Sequence, residues 1–250
     1  MRTVMLALAL LVSSTGALAN DEAKPTDDAI QALVDKGEDE RGFALAQRGA
    51  EAGDPRAIEW VAWFYDEGRG VERDVTLAAK NYRIAAAAGQ NYARWRLGVM
   101  IDTGEAEGTL EEAVELFKAA ADEDFTNAIT SLAVMQATGR GTELDYEASL
   151  ENYMRAARLG NPHGIQGVGV LFARGEGVPR DLDEAMAWFL VAAAVGNEAG
   201  NANFNAMTQG MSDAEIQPIV ERAYEIGEEF GIDLNIVFAD EATPADDPKS

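Results

Sequence analysis

Apolar positions along this chain follow two rhythms. Locally they recur every three or four residues, the period of a helix with one buried face. Over longer stretches the pattern itself returns. An apolar residue followed by a small one recurs as Val61-Ala62, Leu97-Gly98, Leu132-Ala133 and Val168-Gly169. An aromatic ladder runs Tyr82, Phe117, Tyr153, Phe189, spaced by 35, 36 and 36 residues. Polar positions keep the same register. Gly68-Arg69-Gly70-Val71 aligns with Gly104-Glu105-Ala106-Glu107, Gly139-Arg140-Gly141-Thr142 and Gly175-Glu176-Gly177-Val178, at spacings of 36, 35 and 36. Asp74, Thr109, Asp145 and Asp181 form a fourth ladder.

Each ladder has a physical reading. Asp and Thr side chains accept from free amides at a helix start, so the fourth ladder marks N-caps. Thr109 with Glu112, Asp181 with Glu184 and Ser212 with Glu215 have capping-box spacing. Gly68, Gly104, Gly139 and Gly175 stand where a helix stops, and Pro55 and Pro162 where one begins. The small members Ala62, Gly98, Ala133 and Gly169 let two helices approach closely. The pattern predicts paired helices over 54–67 with 74–88, 90–103 with 109–121, 126–138 with 145–159, and 162–174 with 181–195. An incomplete leading pair is expected over 27–36 and 39–52, within N-terminal capping residues 20–53. Helices over 198–208 and 212–230 close the far end, within 198–239. One pair cannot bury both of its faces, so the pairs over 54–197 must stack into an all-α solenoid.

Composition narrows the chemistry. The 250 residues carry 44 Asp plus Glu against 20 Lys plus Arg, a formal charge of −24. Such a chain repels nucleic acid phosphates and anionic lipid. With no Cys and one His, disulfides, thiolate zinc sites, cysteine nucleophiles and multi-histidine metal sites are excluded. Residues 1–19 read as a signal peptide: Arg2, an apolar run Val4–Val12, and Ala17-Leu18-Ala19 before a polar start. The expected location is periplasmic or secreted, with cleavage after Ala19. No later stretch reads as transmembrane. Residues 240–250 read as a disordered acidic tail.

The combined pattern resembles the Sel-1-like repeat, a relative of the tetratricopeptide repeat with a longer turn. The clearest unit keeps Val168, Gly169, Phe172, Gly175, Gly177, Val178, Asp181, Ala185, Trp188, Phe189, Ala192, Ala193 and Gly196. The unit from Ala93 lacks the second turn glycine, and the next has Gln136 where an aromatic is expected. The resemblance implies a right-handed superhelical solenoid of helix-turn-helix repeats, about 36 residues each. It further implies a scaffold or adaptor, with envelope assembly or signalling as settings known for exported relatives. Some exported relatives are described as penicillin-binding or β-lactam-hydrolysing, which makes a hydrolase acting on cell wall or β-lactam the second reading. Those relatives are cysteine-rich, unlike this chain.

Candidate chemistry is sparse. His163, at a helix start, would need a nucleophile such as Ser131 on the adjacent repeat, and no third group or oxyanion pattern accompanies it. The acidic runs Asp35–Glu40 and Asp122-Glu123-Asp124 lack the alternating ligands and central Gly of a calcium loop. The glycine pairs lack the Lys-Ser/Thr of a phosphate loop. No catalytic residue, metal ligand or cofactor is expected.

The tryptophans are more informative. By similarity to tetratricopeptide arrays, first helices line the inner face. That places Glu59, Trp60, Trp63, Asp66 and Glu67 there from one unit, and Tyr92, Trp95, Arg96 and Asp102 from the next. Trp60 is matched in register by Arg96, Ser131 and Gly167, and Trp95 by Glu59, Thr130 and Gln166. Packing demands no aromatic at either position, so both are candidate partner anchors. Trp63 is matched by Val99, Val134 and Val170, so a packing role is open for it. The expected partner is a protein or peptide with basic and apolar side chains.

Overall fold

A computed structural model describes residues 25–234. The signal-like segment 1–19 and the tail 240–250 lie outside the described residues. Twelve α-helices follow one another and no strand occurs among these residues. The leading pair is α1 (Asp27–Asp35) and α2 (Asp39–Glu51). Four pairs follow: α3 (Pro55–Glu67) with α4 (Val75–Ala87), α5 (Asn91–Asp102) with α6 (Leu110–Ala121), α7 (Thr126–Thr138) with α8 (Tyr146–Arg158), and α9 (Pro162–Arg174) with α10 (Leu182–Ala194). The last two helices are α11 (Glu198–Thr208) and α12 (Asp213–Phe230). Each helix from α1 to α10 packs on the next in the chain, and α12 folds back on α10. The result is the solenoid that the repeats demand.

The ladders occupy the places their chemistry suits. Asp74, Thr109, Asp145 and Asp181 each accept a backbone amide at the start of α4, α6, α8 and α10. Ser212 and Glu215 form a reciprocal box. At Thr109 and Asp181 the boxes are half used. Their oxygens accept the Glu112 and Glu184 amides, but the Glu112 carboxylate turns to Arg83, and that of Glu184 to Trp188 and Arg222. The expected stop at Gly104 comes one residue earlier, since α5 ends at Asp102 and Thr103 caps it.

In two units a glycine of the first helix seats the ring of the second. A Cβ built on Gly98 would lie 2.6 Å from Phe117 Cε1, and one on Gly169 2.7 Å from Phe189 Cε1. Between units, the second turn glycine lies against the preceding unit. A Cβ on Gly70 would meet the Asp39 carbonyl at 2.4 Å, and one on Gly141 the Leu110 carbonyl at 2.4 Å. The turn therefore rests on the start of the previous second helix.

Polar groups finish the stacking. Arg56, Arg69, Arg83, Arg96, Arg140 and Arg222 each pair with a carboxylate of a neighbouring unit. Asp66 is 3% exposed and takes Arg96 through both oxygens, at 2.6 and 2.9 Å, with the Tyr82 hydroxyl at 3.4 Å. Glu59 is 5% exposed. Its Oε2 accepts the Ala93 amide at 2.9 Å. Gln90, at the N-cap of α5, makes no side-chain cap bond, so the preceding unit supplies the acceptor. Burial raises the pKa of Glu59 above its ordinary 4.5, against the lowering effect of Arg56 and the Ala93 amide.

Two predictions follow from this packing. Gly98→Leu or Gly169→Leu should lower stability by about 1–3 kcal/mol or more through overpacking; unchanged thermal melting would contradict the register. Glu59→Ala should cost about 1 kcal/mol by uncapping α5, whereas Glu59→Gln keeps an acceptor. Because the folded pKa of Glu59 is raised, its contribution is fully present below the unfolded value and is lost as pH rises through the folded one. The stability difference between wild type and Glu59→Gln, followed by denaturant titration, should therefore shift against the wild type across that interval. A pH-independent difference would refute the raised pKa.

Candidate functional site

The first helices α3 and α5 meet through the bond of the Glu59 carboxylate to the Ala93 amide. Here a pocket of about 490 Å³ opens. Trp60 and Trp63 of α3, Tyr92 of α5 and Phe125 at the head of α7 line it, together with Arg56 and Glu59.

The aromatic walls are fixed by local bonds. Trp60 and Trp63, three residues apart on one helix, meet edge to face with centroids 5.3 Å apart. The Trp60 indole N–H donates to Asp27 of α1 at 2.5 Å. The Arg69 guanidinium lies 5.2 Å from the Trp63 ring centroid. Tyr92 packs between Tyr82 and Trp95, at centroid distances of 6.1 and 5.5 Å. Trp95 continues the row to Phe125. On the polar side, Arg56 bridges Asp27 and Glu59. Burial opposes the charge on Asp27, but hydrogen bonds from Arg56 and Trp60 and the charge of Arg56 hold its pKa below 3.8.

Four of the nine candidate residues, Glu59, Trp60, Trp63 and Tyr92, thus share one pocket. Trp95 stands a row behind it, half-buried, its indole N–H donating to Ser131 Oγ at 3.1 Å. The acidic groove expected from Glu59, Asp66 and Asp102 needs correction. Asp66 lies inside the stack, bound to Arg96, which also reaches Glu105. Asp102 pairs with Arg140 at 2.6 Å. These carboxylates join units because each stands opposite an arginine about one repeat away in sequence. Glu67 alone of the expected acids is exposed.

Gln31, Asp27 and Phe125 were not among the candidates. Phe125 carried a usable signal. Its repeat position is held elsewhere by the capping residues Asp54, Asn161 and Asn197, so an aromatic there departs from the local chemistry. Asp27 carried none, because its role depends on how α1 lies on α3.

The half-exposed ladder at position 63 forms a second feature. Trp63, Val99 and Val170 are partly exposed and Val134 is 41% exposed. The packing role open for Trp63 is therefore incomplete. Ser131 Oγ donates to the Asn127 carbonyl at 2.9 Å and receives the Trp95 indole, while His163 Nδ1 faces Asn197 at 3.4 Å. The serine and histidine are thus engaged with other partners. Among the described residues no group of three or more His, Asp or Glu is placed to hold a metal. No described helix is long and apolar enough to cross a membrane.

Comparison with known proteins gives a consistent picture. No curated protein sequence matches. Among solved structures, a protective antigen of uropathogenic Escherichia coli with an SLR fold superposes with a TM-score of 0.72 at 23% identity, covering 84% of this chain. This chain spans 45% of that antigen. A Sel1 repeat protein from Oxalobacter formigenes superposes with a TM-score of 0.68 at 24% identity, covering 80% of this chain and 84% of its own. A Pseudomonas aeruginosa protein reaches a TM-score of 0.53 at 16% identity, over 90% of this chain and 92% of that one. At these identities the likeness concerns the fold. The Sel1 repeat model matches residues 34–54, 55–90, 91–125, 126–161 and 163–197, the first of these running from the end of α1 through α2. With those matches covering more than half of its length, the chain belongs to the Sel1 repeat family.

Proposed function

We propose that this protein is an exported, non-catalytic scaffold that holds a segment of a partner protein along its first helices, in the periplasm or outside the cell. Sel1 repeat proteins generally serve as protein-interaction scaffolds, and the structure of this chain supports the same use. One observation carries the reading. The fold buries its small and aromatic ladders, yet leaves the apolar ladder Trp63, Val99, Val134 and Val170 partly open on the first helices. An apolar row that recurs once per unit matches a partner segment laid across the units, with hydrophobic anchors and a polar rim.

The charge of −24 shapes the encounter rather than the grip. Six arginines pair with carboxylates across units, and the remaining acid surplus, exposed Glu67 among it, draws basic partners and repels acidic ones. A partner with apolar anchors and a basic flank fits both features. Export is supported by the signal-like residues 1–19, and envelope assembly or signalling is the setting that relatives of this kind suggest.

The test uses affinity capture from the native envelope fraction, with residues 20–250 as bait. A Val134→Glu, Val170→Glu double variant serves as comparison, checked for equal helicity by circular dichroism. The wild type should retain a partner that the variant loses by about tenfold or more, as expected for hot-spot anchors worth roughly 1–2 kcal/mol. Equal retention would move the binding surface away from the first helices.

A further inference from the structure

We propose that the pocket between α3 and α5 receives one cationic side chain, lysine or arginine, from the partner segment. The inference rests on the scaffold reading and gives it a specific chemistry at one place.

The walls favour a cation. Trp60, Trp63, Tyr92 and Phe125 line the pocket, and aromatic faces attract an ammonium or guanidinium through their negative quadrupole. The chain already uses one of these rings in that way, since Arg69 sits 5.2 Å from the Trp63 centroid. The indole N–H of Trp60 is held by Asp27, so this ring offers the ligand its π surface rather than a donor.

The charges point the same way. Along the rest of the first helices the buried or half-buried carboxylates meet arginines of the next unit: Asp66 takes Arg96, which also reaches the exposed Glu105, and Asp102 takes Arg140. At the pocket two carboxylates, Asp27 and Glu59, share the single guanidinium of Arg56. Of the two, Glu59, 5% exposed, lines the pocket. Burial raises its pKa even beside Arg56, so a further positive charge there would favour its carboxylate. A lysine or arginine entering between the rings would restore the balance. A purely apolar anchor would desolvate Glu59 further, and an anion would meet both a carboxylate and ring faces. The pocket volume of about 490 Å³ accommodates such a side chain and leaves room for the adjoining backbone.

The experiment titrates the whole chain with acetyl-Gly-Arg-Gly-amide and acetyl-Gly-Lys-Gly-amide, following the Trp60 indole N–H by NMR. Citrulline and norleucine replace the cationic residue as neutral controls. The cationic peptides should shift the resonance and bind at least tenfold more tightly than the controls. That preference should vanish in Glu59→Gln, which keeps the α5 cap, and weaken in Phe125→Leu, which removes one wall. Equal binding of the citrulline peptide, or a response to chitotriose and not to the cationic peptides, would overturn the proposal. Envelope capture separates this inference from its parent. A partner lost by the Val134→Glu, Val170→Glu variant yet fully kept by Glu59→Gln would leave the scaffold standing and remove the cation seat. Full retention by both variants would move the binding surface off the first helices and take the cation seat with it.

Discussion

The contact of a second-helix ring with a small residue on the first helix sets the dimensions of this protein. Phe117 reaches so close to Gly98, and Phe189 to Gly169, that even a methyl group would collide with the ring. That seat fixes the separation of the two helices in a unit. The separation then determines where the turn falls, and hence whether its second glycine can lie against the preceding unit, as Gly70 lies against Asp39. Stacking is thus not an addition to independently stable pairs. It completes the burial that each pair begins.

The arginines explain how so acidic a chain tolerates its own charge. A formal charge of −24 would oppose compaction if both signs were scattered at random. Instead arginines recur at unit boundaries, where Arg56, Arg96, Arg140 and Arg222 each join a carboxylate of the next unit or the one before. The surplus acids remain where water screens them. The buried pair of Arg96 with Asp66 adds little net stability over an apolar contact, but losing Arg96 would leave a charge stranded. The clearest effect of the boundary pairs is on register, because a shifted unit would separate several of them at once.

Much of this was legible in the sequence. The ladders at 62, 74, 82 and their counterparts fixed the helix pairs to within a residue or two, because caps, stops and close contacts each demand particular side chains. The aromatic cluster was legible for a related reason: Trp60 stands where other units place Arg96, Ser131 and Gly167, so packing alone did not account for it. The fates of Asp66 and Asp102 were hidden. Nothing local distinguishes a carboxylate facing a partner from one facing Arg96 or Arg140 a repeat away. Asp27 was hidden likewise, since its bond to Trp60 arises from the angle at which the leading helix lies.

The cap that Glu59 gives to the Ala93 amide carries a consequence for how such a protein can change. Helix α5 starts at Gln90 without a side-chain cap of its own, and the acceptor it uses belongs to the unit before it. Asn161 makes a milder link of the same kind, capping α9 while donating to Asn127 of the previous unit. Adjacent units are therefore chemically matched pairs rather than interchangeable parts. Duplication, deletion or swapping of a unit would leave an amide without its acceptor unless the new neighbour carried a carboxylate at the position of Glu59. An array built this way resists shuffling at its N-terminal half, where the pocket lies, and admits it more readily toward α9 and α11, whose starts are capped by their own asparagines.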